Sequence, residues 1–233
     1  FEHSGVYRVG NAAEMLAMIR KEGGLAWQAH PRTKSSTGYP DKTRDTEYFR
    51  DPTWLGAGFK AMPSDYSSPR LGERALKLLD DMNNWGLAKS LAGEVDVFKI
   101  DRTHELYGHM NINYLKLDRV PVGVEWPQVV RALQDRSSFV TTGEVLLNDW
   151  RLDVAAGEVS GVIDMSWTFP MNFWELVWGD GKETRRKIFP LDGTGQYGKQ
   201  RIAFREETPG VTWARLAAWD TAANGAFTQP VRR

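Results

Sequence analysis

The spacing of apolar and polar positions changes period part-way along the chain. In GNAAEMLAMIRKEGG (10–24), Ala12, Met15, Leu16 and Ile19 recur at helical spacing, and Asn11 with Glu14 three residues on forms a capping-box pattern. Gly23 and Gly24 close that helix. LAWQAH (25–30) follows at once, apolar at nearly every position, as for a strand covered on both faces. Residues 32–56 predict a long polar loop and GFKAM (58–62) a short strand. Leu71, Ala75, Leu78, Leu79 and Met82 line a second helix ended by Gly86. GEVDVFKI (93–100) predicts the next strand, and WPQVVRALQD (126–135) a further helix with Pro127 in its first turn.

Beyond that helix the pattern becomes strand-like. SFVTTGEVLLND, EVSGVIDMSWTF, FWELVWG, ETRRKIFPL, GKQRIAFRE and TWARLAAWD are short runs separated by Gly, Pro, Asn and Asp. Such spacing favours an antiparallel sandwich. The expectation is a boundary near Ser137, with an α/β domain over residues 1–136 and an antiparallel β-sandwich over 137–233. Six of the ten tryptophans, from Trp150 to Trp219, fall in the second part, where half-buried sheets accommodate aromatic rings.

Composition narrows the function classes. Thirty basic residues balance thirty acidic ones, and no basic run reaches five, so nothing recommends nucleic acid or an anionic membrane as partner. No apolar stretch approaches the roughly 20 residues of a membrane helix. A soluble chain is expected, with the compartment left open between cytoplasm and periplasm or exterior. The absence of cysteine excludes a disulfide framework, a thiolate metal site and a cysteine nucleophile.

Two motifs fail on context. Gly193-Thr-Gly195-Gln-Tyr-Gly198 spells a dinucleotide fingerprint, but the strand-like KQRIAFRE follows where a helix is required, so a hairpin loop is expected. DDMNNWG resembles the start of a calcium loop, but Ala92 stands where the closing glutamate belongs.

The chain has four histidines, His3, His30, His104 and His109. His30 ends the LAWQAH strand, and Asp101, His104 and Glu105 follow the GEVDVFKI strand. Strand carboxyl ends are where α/β sheets carry chemistry. Imidazole and carboxylate together suit a divalent metal, and a bound water then becomes a nucleophile. The plainer alternative is a histidine that caps a loop, with Glu105 paired to Arg102 or His109. His104 and His109 are five apart, on opposite faces of a strand, so at most one shares a site with His30.

The order of these pieces resembles the polymerase-and-histidinol-phosphatase (PHP) superfamily, particularly its carbaryl-esterase-like branch. The matching pieces are Ala29-His30-Pro31, the acid–imidazole pair Asp101 and His104, the stretch Arg136 to Gly143, and WARLAAWDTAANGAFTQPV near the end. The resemblance implies part of a distorted β/α (PHP-type) barrel followed by an antiparallel β-sandwich, with a zinc, manganese or iron cluster held by His30, Asp101 and His104. The Asp-x-His pair is one residue longer here, and the family's opening His-x-His pair is unmatched. The α/β part offers about three or four strands, whereas a closed barrel needs about twice that number. A missing N-terminal half or a second chain completing the barrel is therefore expected.

The implied activity is metal-dependent hydrolysis of a phosphoester, ester or amide bond in a small-molecule substrate. Arg32 and Lys34 would contact an anionic group, and Glu105 would assist. The other reading is a non-catalytic carbohydrate- or protein-binding module, a pseudoenzyme working through its tryptophan-rich sandwich.

Overall fold

Helix α1 (Ala12–Lys21) begins where Asn11 accepts a hydrogen bond from the Glu14 amide, which satisfies one of the donors that a helix start leaves free. The computed structural model describes residues 11–29, 40–60, 68–95 and 111–233. After α1 come β1 (Ala26–Gln28), the single-turn α2 (Glu47–Arg50), β2 (Trp54–Phe59), α3 (Glu73–Asn84) and β3 (Ser90–Gly93). The three strands form a parallel sheet in the order β1-β2-β3. Both strand positions expected here move toward the N-terminus. β2 ends at Phe59 instead of spanning 58–62, and β3 starts at Ser90 instead of Gly93.

The remaining strands are antiparallel. β4 (Ile112–Leu115), helix α4 (Trp126–Gln134) and β5 (Ser138–Thr141) precede the long hairpin of β6 (Val145–Ala155) and β7 (Glu158–Trp167). Then follow β8 (Met171–Gly179), β9 (Thr184–Pro190), β10 (Lys199–Glu207), β11 (Trp213–Asp220), β12 (Gly225–Thr228) and the two-residue β13 (Val231–Arg232). One sheet runs β10-β7-β6. The other runs β4-β5-β12-β11-β8-β9, with β13 paired to β11. The segment with the G-x-G-x-x-G spelling is the β9–β10 connection.

The expected architecture, α/β followed by all-β with a partial β/α barrel, is corrected. Among the described residues the protein is mostly β, 43% strand and 21% helix, with four short helices, several antiparallel strand pairings and no barrel closure. The physical reason lies at the outer edge of β3. There the Gln229 side chain accepts from the Leu91 amide at 2.9 Å and donates to the Leu91 carbonyl at 2.8 Å. Asn113 does the same for Gly93, at 2.7 and 2.9 Å. Two side-chain amides from the antiparallel part thus take the place of a fourth strand, and the edge is satisfied without one.

The larger antiparallel sheet is covered on both faces. Period-two alternation sends Trp174, Leu176, Ala214, Leu216 and Ala218 toward the β6–β7 sheet, where they meet Val145, Leu147, Ile163 and Met165. The opposite face presents Phe173, Ala217, Trp219 and Phe227 to α3 and the parallel sheet. Leu78, Leu79 and Met82 of α3 fill this second layer, each contributing about 1.5–3 kcal/mol by burial. Double coverage explains why WARLAAWD is buried at every position although it is an antiparallel strand.

Candidate functional site

All six residues singled out from the sequence lie outside the described residues: His30, Arg32 and Lys34 between 30 and 39, and Asp101, His104 and Glu105 between 96 and 110. The other two histidines, His3 and His109, do as well. Among the described residues no group of three or more His, Cys, Asp or Glu is placed to hold a metal ion.

What is described is the edge from which those segments depart. Parallel register aligns Gln28 with Ala57 and Phe59 with Gly93, so the carboxyl ends of β1, β2 and β3 share one edge. Ala29, Lys60 and Glu94 are the first residues beyond the three strands. The Glu94 amide donates to the Phe59 carbonyl at 2.9 Å, carrying the ladder one residue past β3. Asn111 donates to the Glu94 carbonyl at 2.9 Å, fixing the chain as it leaves. Lys60 is buried here, at 5% exposure.

The carboxylate of Glu94 folds back over β2. A β-carbon at position 58 would collide with it, so Gly58 provides the floor on which this side chain lies. From the neighbouring strand, Trp27 donates its indole N–H to Glu94 Oε2 at 3.3 Å. Trp27 is 44% exposed, unusually open for a tryptophan. It also forms one wall of a groove of about 440 Å³ shared with Met15, Leu16, Ile19, Tyr48 and Trp54, with Gln28 and Thr43 as polar lining. Concavity, aromatic walls and a few polar groups are the usual make-up of a small-molecule site. Sequence reasoning missed Trp27 and Glu94, because each gains meaning only when β1 and β3 flank the same glycine.

Two other clusters bear charge but not chemistry. Between α3 and the larger sheet, Arg215 forks onto Asp80 at 2.7 and 2.9 Å, and Arg70 onto Glu175 at 2.9 Å twice. Trp219 adds an indole hydrogen bond to Glu175 at 3.0 Å. Burial pushes the Glu175 carboxyl up, but the Arg70 fork and the charge of Arg215 outweigh it and hold the group below its ordinary value. Each carboxylate is matched to a guanidinium, so the cluster is a fastening between layers.

At the amino edge of the parallel sheet, Lys89 is buried. Its ammonium donates to the carbonyls of Trp54 at 2.6 Å and Asp51 at 3.0 Å, and stands 5.4 Å from the Trp54 ring centre and 5.9 Å from that of Phe49. Burial pushes its pKa down to about 8, against the opposing pull of Asp51. It ties β2 to α2 at the edge away from Glu94.

Five tryptophans of the antiparallel strands are structural: Trp167, Trp174, Trp178, Trp213 and Trp219 are all buried, at 9% exposure or less, while Trp150 is partly buried and Trp126 of α4 is exposed. No protein-family model, curated protein or solved structure matches this chain. No helix among the described residues is long and apolar enough to cross a membrane.

Proposed function

We propose that the protein is a hydrolase of phosphoester, ester or amide bonds that works at the carboxyl edge of the β1-β2-β3 sheet. One observation carries the reading: Trp27 is both a wall of the apolar groove and the donor that orients the Glu94 carboxylate. A small molecule seated in the groove has its polar end beside Glu94, which takes the proton of an attacking water. The resemblance of the sequence to PHP proteins supports the same reaction class.

The described residues do not by themselves suit a metal, since Glu94 contributes one carboxylate and no imidazole accompanies it. A metal in this hydrolase falls to residues outside them, with His30, joined directly to Ala29, the first candidate and Asp101 and His104 the next. Packing of Trp167, Trp174, Trp178, Trp213 and Trp219 in the core favours the hydrolase over a carbohydrate-stacking module.

The test is hydrolysis of p-nitrophenyl phosphate and p-nitrophenyl acetate, with metal content measured on protein purified without chelator. Expected are turnover, a stoichiometric divalent ion that His30→Ala loses, and a roughly hundredfold fall in kcat/KM for Glu94→Gln with the ion retained. Absence of both metal and turnover, or full activity in Glu94→Gln, overturns the proposal.

A further inference from the structure

Arg136 occupies a position that favours glycine. α4 ends in a Schellman turn: the Arg136 amide donates to the Leu133 carbonyl at 3.1 Å and the Ser137 amide to the Ala132 carbonyl at 2.9 Å. This geometry puts the residue after the cap in the left-handed region, and Arg136 has φ 59°. A β-carbon there carries a cost that glycine avoids. Retaining arginine in such a turn asks what its side chain does.

The Arg136 guanidinium is incompletely satisfied. Its Nη1 is buried and has no hydrogen-bond partner. Burial pushes its pKa down, the like charge of Arg232 lowers it further, and Asp135 is the opposing carboxylate. The fold brings the two arginines near each other. Phe139 pairs with Thr228, the Gln229 amide donates to the Ser138 carbonyl, and the chain then runs from Gln229 into β13, which carries Arg232. Arg232 spends its Nη1 on the Asn83 carbonyl at 3.1 Å, and burial lowers its pKa too.

We propose that Arg136 and Arg232 form a binding site for an oxyanion of the phosphate class, between the α4–β5 turn and β13. Arg136 Nη1 is a buried donor without an acceptor, and the two partly desolvated guanidiniums have a single carboxylate, Asp135, against them. A phosphate group supplies the missing acceptor and further negative charge, and its oxygens match the planar donor fork of arginine. This site is separate from the carboxyl edge at Glu94 and does not depend on the hydrolase reading.

The experiment is thermal unfolding with inorganic phosphate and with sulfate, ionic strength held constant with chloride. The wild-type midpoint rises by about 3 °C at ten times the dissociation constant. Arg136→Gly unfolds without phosphate no earlier than wild type, because glycine takes φ near 59° freely, and it no longer responds. Arg232→Gln also loses the response, whereas Lys60→Met keeps it. Four results would overturn the site: no response in wild type; a full response in Arg136→Gly or Arg232→Gln; a response abolished by Lys60→Met; or an Arg136→Gly protein markedly less stable without phosphate, which would make the side chain structural.

Discussion

The antiparallel sheets and the parallel sheet solve the problem of strand edges in different ways. β6 and β7 pair from Val145–Trp167 to Ala155–Glu158, and backbone ladders satisfy most of that region. β1, β2 and β3 have three, six and four residues, and the last is completed by side-chain amides instead of another strand. Five tryptophans of the antiparallel strands, Trp167, Trp174, Trp178, Trp213 and Trp219, are core material, whereas Trp27 of the parallel sheet stands in the open beside a carboxylate. Regular pairing concentrates stability, and the place where it stops is where side chains become available to a ligand.

The sharpest way to break this comparison is at the fastening between the two regions. Asp80→Ala takes away the carboxylate onto which buried Arg215 forks, and stability should fall by about 3–5 kcal/mol in urea unfolding. A single shifted transition is expected, since α3 belongs to both layers. Two transitions, of which the variant moves one, would mean that the regions fold separately. Adding Arg215→Leu should recover much of the loss.

Next in size is a pH effect at the amino edge of the parallel sheet. The Lys89 pKa is about 8 in the folded protein and near 10.5 when exposed, so the unfolded state binds more protons between those values. Stability should therefore rise with pH across that window. The charge costs about 3 kcal/mol below it and nothing above it. Lys89→Met should lack this rise, and a difference between the two proteins that stays flat from pH 8 to 10.5 would refute the assignment.

The smallest effects sharpen the edge itself. Gln229→Ala strands the buried N–H and C=O of Leu91 and should cost about 2–3 kcal/mol, measured by chemical denaturation. Asn113→Ala exposes the Gly93 groups to water that can replace the amide, so about 1 kcal/mol is expected. Equal losses would remove the distinction between a sealed and a wet part of the same edge.

Much of the element order was legible. The cap at Asn11, the apolar faces of α1 and α3, and the period-two runs from Ser138 onward correspond to elements in place, because each depends on local spacing. The exact start of β3 was not legible. SLAG carries no strand alternation, and pairing with Gly56–Phe59 decides it. Of the candidate site, His30 and Asp101 lie outside the described residues, and Trp27 and Glu94 carried no signal in the sequence because β1 and β3 bring them together.

Taken alone, the sequence determined the helices α1, α3 and α4 and most of the strands after Ser137, the absence of any thiol chemistry, and the neutral charge balance, all properties of neighbouring residues or of composition, but not α2 or β4. Only the tertiary structure decided that, among the described residues, the parallel sheet has three strands with its β3 edge closed by side chains, since that outcome rests on Gln229 reaching Leu91 from 138 positions away. It also decided that Trp27 meets Glu94 and that Arg136 lies near Arg232. Contacts over such separations are set by how whole layers pack, and no local pattern of apolar and polar residues encodes them.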